Sequence, residues 1–272
     1  MNRSTTRALW VLLLSGILLK ADDPIMNMMP RWDDGWGFQF IEEYRHESDL
    51  LLGDRKAYPN FVEDVHLLHF ETVYTWDKSI RMTAKFPWVL DARREMPDGF
   101  GGKKVEHDNG IGDATLSLPL KKYFNLDGKS GSWTFKPMVR LPFAGDGDYE
   151  VYDGQWGNGV GLAYEFETAK WHVHVSTSGW VYHGDEPFES HSSLDLGYNF
   201  EARGTNGSIY WETDFHWEDD GSETLYAGPA LYWNVNDTVH WKLEWKHDFH
   251  DRQGVLDHGN GDTFKFSLGF VF

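Results

Sequence analysis

Along most of this chain apolar and polar residues alternate one for one. Ile80-Arg81-Met82-Thr83-Ala84-Lys85-Phe86-Pro87-Trp88 places Ile, Met, Ala, Phe and Trp on one side and Arg, Thr, Lys and Pro on the other. Trp133 to Phe143 and Val239 to Lys246 repeat the pattern. A period of two belongs to a strand whose faces meet different surroundings, whereas an amphipathic helix repeats every 3.6 residues. The alternation predicts twelve strands, at about 35–47, 64–76, 79–90, 112–124, 132–143, 156–167, 169–182, 192–201, 207–217, 225–234, 239–249 and 262–272. No helical period follows residue 21, and no linker or low-complexity run divides the chain. Residues 35–272 therefore read as one all-β domain.

Strand length narrows the class. Strands of soluble sandwiches cluster near five or six residues, whereas membrane-crossing strands need about 9–11. Lys242, Glu244 and Lys246 share one face of a segment whose other face carries Trp241, Leu243 and Trp245. That suits a transmembrane antiparallel up-and-down β-barrel, with its apolar face toward lipid and its polar face lining the lumen. Trp36, Tyr44, Trp76, Trp88, Trp133, Trp217 and Trp233 at strand ends suit two interfacial aromatic girdles. With both termini periplasmic, 48–63, 91–111, 144–155, 183–191, 218–224 and 250–261 form long external loops. Residues 77–78, 125–131, 168, 202–206 and 235–238 form internal turns, and such alternation is expected of an outer-membrane barrel. An even strand count closes the barrel with no open edge in lipid. A soluble propeller or lectin is the alternative that the strand lengths argue against.

Composition changes the picture in three places. The 272 residues carry a net charge of −18, no cysteine and 14 tryptophans, with a mean hydropathy of −0.54. A helical membrane bundle is excluded, because the one long apolar run, Ala8 to Leu19, falls short of the roughly 20 residues a spanning helix needs. That run follows Arg3 and Arg7 and precedes Leu19-Lys20-Ala21, so residues 1–21 read as a cleaved signal peptide. Its loss removes three positive charges and deepens the balance to −21. Residues 22–34 would precede the barrel or fold into it as a plug. The absence of cysteine excludes disulfides, thiolate metal sites and a lipoprotein anchor, and the acidic balance argues against nucleic acid as a partner.

The closing run Phe264-Lys265-Phe266-Ser267-Leu268-Gly269-Phe270-Val271-Phe272 resembles the last strand of bacterial outer-membrane proteins. That resemblance implies recognition by the outer-membrane assembly machinery, insertion among outer-membrane lipids and a Gram-negative source. Three further stretches are similar to a family named for the MetA pathway of phenol degradation. They are Asp23-Pro24-Ile25-Met26-Asn27 leading to Gly35-Trp36, Gly110-Ile111-Gly112-Asp113-Ala114-Thr115-Leu116, and Gly228-Pro229-Ala230-Leu231-Tyr232-Trp233. The family resemblance implies passage of small, often aromatic compounds.

On the face expected to point inward, Arg81, Lys85, Lys121, Lys136 and Arg140 form a basic wall opposed by Asp113. Glu165, Asp195, Glu201, Glu212 and Asp214 form an acidic one, and Lys242, Lys246 and Lys265 gather around Glu244. Charges segregated in this way would set a transverse field across a water-filled path and favour carboxylate-bearing solutes. The same groups could instead pair into a salt-bridged core, since twelve strands lie between filled eight-stranded and open sixteen-stranded barrels. An anchoring or surface-interaction role would then follow. His172, His174 and Ser176 alternate on one strand face and resemble the pair of outer-membrane phospholipases and lipid A deacylases, which would make the chain a lipid hydrolase. With Trp171, Val173 and Val175 toward lipid, the pair faces the lumen, so polar lining is the preferred reading and no enzymatic activity is expected. His172 and His174 could also bind metal with His216 or His240, although no third ligand is fixed by spacing. No cofactor is expected beyond weak divalent cation binding at acidic external loops, where Asp146, Asp148, Glu150 and Asp153, then Glu218 to Asp220 with Glu223, then Asp257 to Asp262, supply oxygens.

Overall fold

The structure, a computed structural model, describes residues 34–272 apart from 53–54, 99–101, 127–128, 146–150, 185, 203, 254–255 and 259. The expected signal peptide 1–21 and the segment before Asp34 lie outside the described residues. Fifteen strands follow one another: β1 (Gly35–Leu52), β2 (Arg55–Asp77), β3 (Ile80–Pro97), β4 (Lys103–Ile111), β5 (Ala114–Ser117), β6 (Leu120–Leu126), β7 (Lys129–Leu141), β8 (Gly157–Glu167), β9 (Trp171–Tyr182), β10 (Glu189–Ala202), β11 (Thr205–Glu218), β12 (Glu223–Asn234), β13 (Val239–Gln253), β14 (Leu256–His258) and β15 (Asp262–Val271). All belong to one antiparallel sheet. β4, β5 and β6 run successively along β3 and serve as one interrupted stave. β14 extends the β15 stave between β1 and β13. Pairing of β12 with β13, β13 with β15 and β15 with β1 closes a ring of twelve staves, so no strand edge faces lipid.

The faces are inverted relative to a soluble protein. Trp36, Phe40, Trp88, Trp133, Leu162, Trp171, Leu243 and Phe266 are exposed on the outside, while Glu43, Arg81, Lys136, Ser176, Glu212 and Lys242 are buried within. Burying that outer surface in hydrocarbon is worth roughly 25 cal/mol per Å² removed from water, which makes lipid the fitting solvent. The twelve expected strands are all present, each with its expected inward face.

Connections differ in four places. Segments 48–63 and 91–111 are mostly strand rather than loop, because β1 pairs with β2 up to Leu52↔Arg55 and β3 with β4 up to Pro97↔Lys103. Polar residues on both faces hid this continuation, yet cross-strand charge pairs hold it: Arg94 Nε lies 2.8 Å from Glu63 Oε2, and Lys103 Nζ lies 2.7 Å from Glu95 Oε2. Segment 250–261 similarly contains the end of β13 and all of β14. The expected internal turn 125–131 tightens, with Leu126 paired to Lys129. Elsewhere short side chains make the internal turns. Asn236 Oδ1 accepts the N–H groups of Thr238 and Val239 at 2.9 and 2.8 Å, and Thr168 Oγ1 accepts that of Trp171 at 2.9 Å.

Candidate functional site

The described parts of the external loop, 142–145 and 151–156, turn into the barrel. Asp113, buried between β4 and β5, accepts the backbone N–H groups of Phe143, Ala144 and Gly154, each at 3.0 Å. Asp108 Oδ2 takes that of Val151 at 3.1 Å. Val151 and Tyr152 thereby pack against Val65, Leu67, Val89 and Ala92, an apolar cluster inside the barrel. Gly112 leaves the space for this, since a Cβ there would collide with the Tyr152 ring. Asp113 is therefore a loop anchor rather than the acid opposing a basic wall.

Lumen charges are paired, not segregated. Lys121 Nζ lies 3.3 Å from Glu165, which also takes a hydrogen bond from Ser132 at 3.0 Å and lies 3.4 Å from His172. Lys85 is 3.7 Å from Glu71, and Lys265 is 3.2 Å from Glu43. Lys242 reaches Glu212 at 2.7 Å and Glu244 at 3.0 Å, while Lys246 reaches Asp214 at 2.6 Å and Glu212 at 3.0 Å. Glu43 and Glu71 were absent from the sequence accounting. They alternate inward on β1 and β2, and ring closure sets β1 beside the last stave. Such pairing is what low dielectric demands, because an ion left alone there costs several kcal/mol.

Each expected lumen residue does point inward. Arg81, Lys121, Lys136, His172, His174, Glu212 and Lys242 are buried, and Lys85, Arg140 and Asp214 are partly so. Glu201 is exposed at the periplasmic end. Within the basic wall, register sets Lys85 level with Arg140 through Thr115. Two cavities separate the groups. One, of about 840 Å³ at the periplasmic end, is lined by Arg81, Lys121, Glu165, His172, Tyr210 and Tyr232 among others. The other, about 90 Å³ and further out, takes in Glu71, Lys85, Lys136, Arg140, Trp180 and His191. There the Arg140 guanidinium lies 5.0 Å from the Trp180 ring centre and 4.9 Å from that of Tyr182.

The enzyme-like run resolves into separate contacts. His174 Nδ1 lies 3.0 Å from Asp195 Oδ2, an acid that cross-strand pairing supplies and sequence spacing does not reveal. Ser176 Oγ sits 3.2 Å from Ser193 Oγ, buried inside the barrel. His172 and His174 take carboxylate partners on different strands, and His240 is buried beside the Tyr232 ring. Among the described residues, the three-residue group with metal-ligand spacing is instead Glu189, His191 and His216, whose ligand atoms all lie within 4.8 Å of one another. Sequence spacing alone missed it, although 189 and 191 alternate on one strand and His191 pairs directly with His216.

At the external end, burial and the neighbouring carboxylate of Glu189 raise Glu218 to about 7. Burial and Glu186 raise Asp153 to about 6. Burial also acts to raise Glu189, yet the His191 hydrogen bond and the Arg140 charge outweigh it and hold that carboxyl down at about 2. Asp219 and Asp220 accept backbone N–H groups of Phe188 and Ser222 at 3.0 and 2.7 Å, which commits them to shaping their loop. Residues 146–150 and 259 lie outside the described residues, as do the side chains of Asp257 and His258.

No curated protein matches the chain. Among solved structures it is similar to the COG4313 outer membrane channel from Pseudomonas putida F1, with 14% identity and a TM-score of 0.69 over 93% of this chain and 100% of that one. It is more distantly similar to the NanC porin, at 11% identity and a TM-score of 0.49 over 86% and 98%. A third, the KdgM porin, gives 10% identity and a TM-score of 0.46 over 85% and 99%. The closed barrel, its lipid-compatible exterior and the first of these likenesses make the chain an integral β-barrel of the bacterial outer membrane. Residues 55–266 match the family described as "Putative MetA-pathway of phenol degradation", and the chain belongs to that family.

Proposed function

We propose that this barrel is a passive channel for small solutes bearing an aromatic ring and a carboxylate. The observation that carries this reading is the periplasmic cavity. Its volume of about 840 Å³ falls within the roughly 300–1,000 Å³ typical of small-molecule sites. Its wall combines Tyr210 and Tyr232, buried ring faces, with Arg81, Lys121 and His172, cationic or hydrogen-bonding groups. Further out, Lys85, Lys136 and Arg140 share a narrower space with Trp180. Basic groups stand at both levels, each beside an acid, Lys121 with Glu165 and Lys85 with Glu71, so an anionic solute exchanges with these carboxylates while its ring stacks against aromatic side chains. The family description, phenol degradation, is in keeping with an aromatic solute.

This reading assigns no catalytic role. A lipid hydrolase must present its serine where acyl chains lie, and Ser176 is enclosed in the lumen beside Ser193. Outer-membrane lipids around the apolar exterior and the assembly machinery at the Phe272 end complete the proposed partners. Refolded protein in a planar bilayer tests the proposal. It should conduct, benzoate should reduce the current in a saturable way, and Lys121→Gln should weaken that block. Changing Lys85 and Lys136 together to Glu should move the reversal potential toward cations. A folded barrel that conducts nothing would favour the plugged, anchoring role instead.

A further inference from the structure

We infer that Glu189, His191 and His216 form a binding site for a transition-metal dication, zinc being the best chemical match. The three stand at the external end of the lumen on adjacent strands. His191 and His216 are directly opposed across β10 and β11, and the next pair outward is Glu189 with Glu218. His191 Nε2 lies 3.1 Å from Glu189 Oε2, and His216 Nε2 lies 3.4 Å from Glu218 Oε1. The two imidazoles stack with ring centres 4.2 Å apart and planes 11° from parallel. Tetrahedral zinc with bonds of 2.0–2.1 Å holds its ligand atoms roughly 3.3 Å apart. The ligand atoms all lie within 4.8 Å of one another, and because stacked imidazoles direct their lone pairs in parallel, both rings must turn out of the stack to share an ion.

The donor set selects the ion. Two imidazoles and a carboxylate suit zinc, copper or nickel, whereas calcium and magnesium take oxygen almost throughout. The surroundings favour a cation: the Glu218 carboxylate lies 3.4 Å from His216. The opposing cation, Arg140, holds Glu189 at 3.7 Å, a long contact that a bound metal could displace. His191 also borders the narrow cavity containing Lys85, Lys136 and Arg140. An ion bound here adds two positive charges to the solute path, so occupancy should alter conduction. Binding does not depend on the channel reading; the effect on conduction rests on it.

Calorimetric titration of refolded barrel with zinc chloride tests the site. One saturable event per chain is expected, stronger than the weak heats from scattered surface histidines. It should vanish in the double variant His191→Ala/His216→Ala, weaken at least tenfold in Glu189→Gln, and survive in the control His66→Ala, an outer-face histidine paired with Glu42. Heat-modifiable migration verifies that each variant is folded. Should the double variant misfold, His191→Gln alone, with its similar size, is read in the same way. The absence of a saturable event in wild type, or equal binding by the folded variants, would overturn the site. Zinc binding by a barrel that conducts no current would leave the site standing and remove the channel.

Discussion

Lys246 is held by several acids in the lumen. Its ammonium lies 2.6 Å from Asp214, 3.0 Å from Glu212 and 3.7 Å from Glu244, and a second ammonium, Lys242, reaches Glu212 and Glu244. Three carboxylates thus share two ammoniums. Lys246→Met removes the central one and leaves three buried acids around one cation. Breaking a buried pair from one side costs about 3–5 kcal/mol. Glu244→Gln deletes a carboxylate instead and leaves two acids with two bases, so its cost should be about 1 kcal/mol or less, close to that of one neutral hydrogen bond. The assay is equilibrium unfolding of the refolded barrel in guanidinium, with tryptophan fluorescence as the signal. The contrast between variants, rather than either value, is the test. Equal losses would show that net charge does not govern the cluster. A neutral Lys246→Met would show a lumen wet enough to reduce these contacts to surface pairs worth 0–1 kcal/mol.

Phe272 is exposed on the lipid side and its N–H donates to Trp36 O at 2.8 Å; deleting it should cut the amount of heat-modifiable protein in outer-membrane fractions several-fold. Asp113→Ala removes the acceptor of three backbone N–H groups and should free loop 142–156, raising single-channel conductance and its open-state noise. Asp153 and Glu218, raised to about 6 and 7, are neutral at pH 5 and charged at pH 8, so low-salt cation preference should rise across that range. Because both carboxyls lie above their unfolded values, they also contribute stability at low pH that is lost as pH rises through 6–7, visible as a lower unfolding midpoint at pH 8. Ser176→Ala should leave conductance unchanged, and phospholipid incubated with wild-type protein should stay intact by thin-layer chromatography.

The barrel was legible because one physical rule acts on every strand: a sheet between lipid and water must alternate, and Ile80 to Trp88 or Val239 to Lys246 show it without context. Inward directions followed from the same rule. Partnerships did not, because they depend on register between strands distant in sequence. Glu43 meets Lys265 only once β1 has closed on β15. His191 meets His216 because the register between β10 and β11 sets the two directly opposite. The inward course of loop 142–156 was hidden for a different reason. Its acids suggest solvent, while the feature that turns it inward is a single buried aspartate, Asp113, thirty residues earlier in sequence.

The staves are very unequal in height. β2 has 23 residues and β8 has 11. At about 3.3 Å per residue and a tilt near 40°, β2 rises roughly 58 Å and β8 roughly 28 Å, against an apolar band about 25 Å tall. The sheet of β1 to β4 therefore stands well clear of the membrane, braced by ion pairs such as Arg94 with Glu63, while the rim over β8 and β9 stays low. Large bodies arriving along the membrane normal, such as antibodies or phage tail fibres, meet that tall sheet first. If the barrel passes solutes as proposed, the low rim is the shortest way from the surrounding medium to the lumen. The two surfaces are separate, so substitutions on the outermost face of the tall sheet leave the residues that line the interior untouched.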